Sequence, residues 1–121
     1  MDKLETMFAM QKALNDEIVA LRGLEGVSDG EWIQKNVLAM VSELGELLDE
    51  VNFKWWKNPK PVDDEALRGE LVDVFHFFLS MCLKAGMDAD SLYAGYIDKN
   101  RENFDRQHGK SQKPGYAVSE E

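Results

Sequence analysis

Glu43, Glu46, Glu70 and Asp73 form two matched carboxylate pairs, Glu43-x-x-Glu46 and Glu70-x-x-Asp73, with 23 residues between them. A spacing of three puts both members of a pair on one helix face, about 60° apart. If the two carrying helices pack together, four oxygen-rich side chains converge in a small volume. Such a cluster repels itself when empty. Filled with a hard divalent cation such as Mg2+, it becomes a site for phosphate chemistry. One E-x-x-E pair would mean little, because solvated helix faces are rich in Glu. Two pairs at matched offsets, each at the edge of an apolar stripe where charge is expensive, point to metal.

The elements that must position these groups follow from periodicity and caps. A first helix is expected from about Leu4 to Arg22, opened by Asp2-x-x-Glu5, with Leu4, Met7, Phe8, Leu14, Ile18 and Leu21 as its apolar stripe. Gln11 and Asn15 fall on that stripe, where a routine bundle helix would carry Leu or Ala. Gly23 and Gly26 break the chain. Ser28-x-x-Glu31 opens a second helix reaching about Val51, its stripe of Ile33, Val37, Met40, Val41, Leu44, Leu47, Leu48 and Val51 edged by Glu43, Glu46 and Glu50. Phe53-Lys54-Trp55-Trp56-Lys57 forms an aromatic and basic connection, closed by Pro59 and Pro61. The third helix starts at Asp63 or Asp64 and ends around Ala85-Gly86. Its stripe is Leu67, Leu71, Val74, Phe75, Phe78 and Cys82, and Val72, Phe77 and Leu79 lie off it, so beyond Asp73 it is apolar almost all round. A helix of that kind is central or lies in a subunit interface. The fourth runs from Asp88 or Asp90 to about Gln107, with Lys99, Asn103 and Arg106 sharing one face. No strand pattern appears. The expected fold is all-α, a four- to five-helix bundle over residues 1–107, followed by a mobile C-terminal tail, 108–121.

At 121 residues the chain can bury one modest core, which oligomerisation would enlarge. A formal net charge of -9 argues against nucleic acid and anionic membrane as partners. It leaves room for a small polyanion if cations reverse the sign locally. Cys82, the single cysteine, can form no internal disulfide, which fits a reducing cytoplasm. The first residues lead straight into an amphipathic helix rather than a signal peptide. The stretch from Leu71 to Leu83 is broken by Asp73 and His76 and is too short to span a bilayer. These features predict a soluble protein.

Other residues admit more than one role. Gln11 and Asn15 can be buried amides, sit at a dimer seam, or read the edge of a nucleobase, since an amide presents both donor and acceptor. Trp55 and Trp56 can cap the core or, beside Lys54 and Lys57, offer a π face and cations to a nucleotide. His76 points away from the Glu70 and Asp73 edge on the helical wheel. Lys99, Asn103 and Arg106 on spacing alone are a solvated face.

With these residues in view, the chain resembles the all-α nucleoside triphosphate pyrophosphohydrolase superfamily, the MazG-like group, and within it the dimeric all-α dUTPases. The superfamily signature E-x-x-E, a gap, then E-x-x-D is matched by Glu43, Glu46, Glu70 and Asp73. The flanking marks are Gln11 and Asn15, Phe53-Lys54-Trp55-Trp56, Asp73-Val74-Phe75-His76-Phe77, Lys99-x3-Asn103-x2-Arg106-Gln107, and Gly115-Tyr116. The resemblance implies Mg2+-dependent cleavage of dUTP to dUMP and pyrophosphate, a sanitation of the nucleotide pool, with dCTP or another nucleotide as the alternative substrate. It implies four metal-holding carboxylates, Glu46 also orienting or deprotonating the attacking water. Lys99, Asn103, Arg106 and Lys54 would hold the polyphosphate, and Gln11 and Asn15 the base edge. Phe77 and Trp55 would wall the base, and Tyr116 would close over the substrate. It also implies a homodimer or higher homo-oligomer. Two other readings compete. Asp73-x-x-His76 faintly resembles a di-iron element, although such bundles use two E-x-x-H motifs, and the acids could be the solvated face of a non-catalytic helical module.

Overall fold

A computed structural model describes residues 1–118, which contain four α-helices and no strand among them. They are α1 (Lys3–Arg22), α2 (Asp29–Glu50), α3 (Asp64–Lys84) and α4 (Ala89–Gln107). Each start is fixed by a side chain that accepts an otherwise unpaired backbone N–H: Asp2 from Glu5, Ser28 from Glu31, Asp63 from Ala66 and Asp88 from Ser91. Each such cap contributes about 1 kcal/mol. At α4 the capping is reciprocal, because the Ser91 hydroxyl also accepts from the Asp88 N–H. The first helix stops at Gly23, whose φ of 64° is left-handed backbone that glycine adopts without strain.

The chain divides into two compact units, Met1–Met87 and Asp88–Glu121, of which the second is described through Val118. The boundary falls before α4, ahead of the tail expected from residue 108. Of that tail, residues 119–121 lie outside the described residues.

In the first unit α3 packs chiefly against α2 and to a lesser extent against α1. Contact on two sides explains why the residues it encloses differ from the periodic stripe. Leu79, read as off the stripe, is 1% exposed, and Ser80 is buried next to it, together with Cys82. Burial pushes the Cys82 thiol up from its ordinary value, which makes it unreactive. On α1 only Phe8 and Gln11 are buried. The α2 stripe departs most from expectation. Val37, Val41, Leu44, Leu48 and Val51 remain exposed, in alternating steps of four and three residues. That step pattern is the seam by which one helix packs along another.

The connection from α2 to α3 is closed by Asn52, at φ 53°, whose amide donates to the Lys60 carbonyl at 2.7 Å and accepts from the Lys60 N–H at 3.0 Å. Between these points Phe53, Trp55 and Trp56 pack edge to face, with Trp55 86% exposed. Among the described residues no helix is long and apolar enough to cross a membrane.

Candidate active site

The second and third helices run antiparallel, because Glu43 and Glu46 meet Glu70 at one end while Lys84 reaches Asp29 and Trp32 at the other. This register gathers the carboxylates. Glu43, Glu46 and Glu70 each offer an oxygen within 4.8 Å of the others. Oε2 of Glu43 and Oε2 of Glu70 are shielded from solvent and have no hydrogen-bond partner. Ionised carboxylates only accept, so neither can satisfy the other until one takes up a proton. That competition pushes the Glu70 carboxyl from 4.5 up to about 7: a proton shared with Glu43 is the largest cause, followed by desolvation and the charge of Glu46. A divalent cation answers the same deficit with positive charge. The donor set is all oxygen, which suits Mg2+ or Ca2+ better than softer metals.

Asp73 stands outside the three-carboxylate group and lines, with Glu43, an adjoining cavity of about 460 Å³. Three helix faces build that cavity: Gln11, Leu14, Asn15, Ile18 and Val19 from α1, Trp32 and Asn36 from α2, and His76, Phe77, Ser80 and Lys84 from α3. It is the size and kind of space small molecules occupy, apolar walls with a few converging polar groups. Gln11, 7% exposed, donates from Nε2 to Asn15 Oδ1 at 3.0 Å, and Asn15 Nδ2 donates to Ser80 Oγ at 3.1 Å. At the far end the Lys84 ammonium lies 5.8 Å from the Trp32 ring centre and 3.8 Å from Asp29.

Of the residues singled out from sequence, Gln11, Asn15, Glu43, Asp73 and Phe77 share this cavity, and Glu46 and Glu70 join Glu43 at its acidic end. His76, read as pointing away from the carboxylate edge, in fact lines the cavity with Asp73 and Phe77. Lys54 lines a separate, smaller pocket with Lys57, Lys60 and Asn52, and Trp55 lines neither. Lys99, Asn103, Arg106 and Tyr116 belong to the second unit. There the Arg106 guanidinium lies 5.4 Å from the Tyr116 ring centre and 3.4 Å from Asn103 Oδ1, and its Nε contacts Glu102 at 3.1 Å. The Ser111 hydroxyl, donating at 2.6 Å, holds the Glu102 carboxyl below its ordinary value, and Arg106 adds to this.

Sequence reading passed over Trp32, Asn36, Ser80 and Lys84. A signal for them existed. Asp73, Phe77, Ser80 and Lys84 follow one another at helical steps of four, three and four, and Trp32, Asn36 and Glu43 at four and seven. Extending the carboxylate edges along each helix leads to the cavity.

The sequence profile of a family described as dUTPase matches residues 3–88, which hold all four carboxylates and every residue of the cavity. The chain belongs to this all-α dUTPase family. A dCTP pyrophosphatase of Enterobacteria phage T4 is 30% identical over 120 residues, covering 88% of this chain and 65% of that protein. A dCTP pyrophosphatase of Enterobacteria phage LZ5 is 34% identical over 84 residues, covering 69% of this chain and 47% of that protein. A DNA replication protein of phage T4 is 28% identical over 114 residues, 83% of this chain and 27% of that protein. The chain thus spans less than two-thirds of the length of these relatives. No solved structure matches it.

Proposed function

We propose that this chain is a Mg2+-dependent nucleoside triphosphate pyrophosphohydrolase that cleaves dUTP to dUMP and pyrophosphate, sanitising the nucleotide pool of a reducing cytoplasm. The observation that carries the reading is the junction of the two features above. A cluster of three carboxylates with two orphaned oxygens opens through Glu43 onto a nucleoside-sized cavity lined by amides and aromatic rings. A second reading, dCTP as substrate, is favoured by the two related phage dCTP pyrophosphatases.

Glu43, Glu46 and Glu70 would hold the metal, with Asp73 at the cavity side of the cluster. Bound there, Mg2+ supplies positive charge against the polyphosphate and raises the acidity of a neighbouring water. Glu46, the most exposed of the three, accepts the proton as the water oxygen bonds to phosphorus. The α–β phosphoanhydride bond breaks, and pyrophosphate leaves with the electron pair. Phe77 and Trp32 enclose the base and exclude water, and Asn15 meets its edge. Following the family resemblance, Lys54, Lys99, Asn103 and Arg106 are assigned to the polyphosphate, and Tyr116 to closing over the substrate. The exposed α2 seam is assigned to a second copy of the chain, as a homodimer.

Pyrophosphate release measured over a panel of deoxynucleoside triphosphates, with Mg2+ and with chelator, tests the reading. Metal-dependent turnover of dUTP is expected. Release from dCTP alone would select the second reading, and no release from any nucleotide would refute both.

A further inference from the structure

Ser80 lies seven residues along α3 from Asp73, about 10 Å at 1.5 Å per residue. That matches the reach from phosphates at the acidic end to the far edge of a pyrimidine. Ser80 is 4% exposed, and its hydroxyl has two partners. It donates to the backbone carbonyl of His76 at 3.0 Å and accepts from Asn15 Nδ2 at 3.1 Å. Asn15 Oδ1 in turn accepts from Gln11 Nε2 at 3.0 Å.

A hydroxyl carries one proton, and a carbonyl can only accept. While the Ser80 proton sits on the His76 carbonyl, Ser80 faces Asn15 as an acceptor. Asn15 must then turn its NH2 toward Ser80 and its oxygen toward Gln11. The reversed amide would need the Ser80 proton for itself and give up the bond to His76, and its NH2 would face Gln11 Nε2 donor to donor. It therefore keeps one of the three bonds, or two if the Gln11 amide turns over with it.

We infer that Ser80 is a specificity-determining positioning residue, which holds the Asn15 amide in one orientation and thereby sets which pyrimidine edge the cavity accepts. The inference rests on the nucleotide reading above. Uracil offers an N–H beside a carbonyl oxygen, and cytosine offers a bare ring nitrogen beside an NH2, with donor and acceptor interchanged. An amide free to turn over matches either edge. An amide held one way matches one of them.

The test is kcat/KM for dUTP and for dCTP, with melting temperature, on the full chain and Ser80→Ala. The expected result is a ratio between the two substrates that moves about tenfold toward unity, the value of one hydrogen bond, beside a lowered melting temperature, since the variant loses both hydrogen bonds of the Ser80 hydroxyl. Ser80→Thr keeps the hydroxyl and should keep the ratio. If Ser80→Ala does not fold, Ser80→Cys reads the same ratio, because a thiol is a near-isostere and a poor acceptor. An unchanged ratio in the variant that folds, whether or not stability falls, overturns the inference. So does a wild-type enzyme that turns over both nucleotides equally. A wild-type protein that releases pyrophosphate from neither fails one step earlier, at the nucleotide reading itself.

Discussion

In the metal-free protein above neutral pH, three negative carboxylates share a space in which each brings an oxygen within 4.8 Å of the others, and Oε2 of Glu43 and Oε2 of Glu70 are buried and unpaired. Glu70→Gln removes one charge and adds N–H donors that can reach the orphaned oxygen of Glu43. The variant should therefore melt higher than wild type in chelator at about pH 8. The pH dependence sharpens the prediction. The Glu70 carboxyl titrates at about 7 in the folded protein instead of 4.5. Between those values the folded chain holds a proton that the unfolded chain has released, so wild-type stability falls as pH rises through that window and levels off above it. The variant lacks this titration. The two melting temperatures should converge near pH 5, where the wild-type Glu70 is itself a donor, and separate above pH 7.

Metal should reverse the order. Cation at about 100 times its Kd stabilises a protein by about 2.7 kcal/mol, which is about 10 °C or more for a domain of this size. Wild type should gain that increment from Mg2+, and the variant, with an amide in place of a charged ligand, should gain much less. Differential scanning calorimetry at about pH 5 and pH 8, in EDTA and in Mg2+, reads all four corners. A variant less stable than wild type in EDTA at the higher pH, or a wild type indifferent to Mg2+ and Ca2+ alike, would refute the argument that crowding without metal is what these residues are built around.

Glu46→Gln should lower kcat for pyrophosphate release by at least about a hundredfold, the usual weight of a general base, with an unchanged helical circular dichroism spectrum. Near-wild-type kcat would remove Glu46 from proton transfer. Asn15→Ala deletes two hydrogen bonds and leaves Gln11 Nε2 without its partner. It should cost about 1–2 kcal/mol by thermal denaturation and also erase discrimination between dUTP and dCTP; loss of stability with discrimination intact would make it a core amide only. Val41→Lys places a charge in the middle of the exposed α2 seam, where Val41 is 60% exposed. Sedimentation velocity should show a dimer for wild type and a monomer for the variant, and a wild-type monomer would dismiss the seam as an interface.

Much of the frame was legible because it is local. Asp2, Ser28, Asp63 and Asp88 start helices through bonds to residues three positions on, and a reader of sequence sees both partners at once. The convergence of Glu43, Glu46 and Glu70 was legible for a related reason, since matched offsets on consecutive helices meet when those helices pack antiparallel. Asp73 has the same offset but a side chain one methylene shorter, and the signature cannot say that its oxygens stop outside the group formed by the three glutamates. Nor can periodicity tell a stripe covered within the chain from one left for another chain, which is why Val37, Val41, Leu44, Leu48 and Val51 read as core and stand exposed.

The polar interior is where sequence reading stops for a physical reason. Periodicity places Gln11 and Asn15 on the inward face of α1 but is silent about what they bond. The partner that orients Asn15 is 65 residues away. Ser80 carries no mark of its own in the sequence, since serine within a helix is ordinary. It acquires a role only because α3 presents it to α1 with its proton already held by the His76 carbonyl. Spacing alone therefore locates the carboxylate end of this cavity. The end that would choose a base is defined by the direction of three hydrogen bonds, and direction exists only once the helices have met.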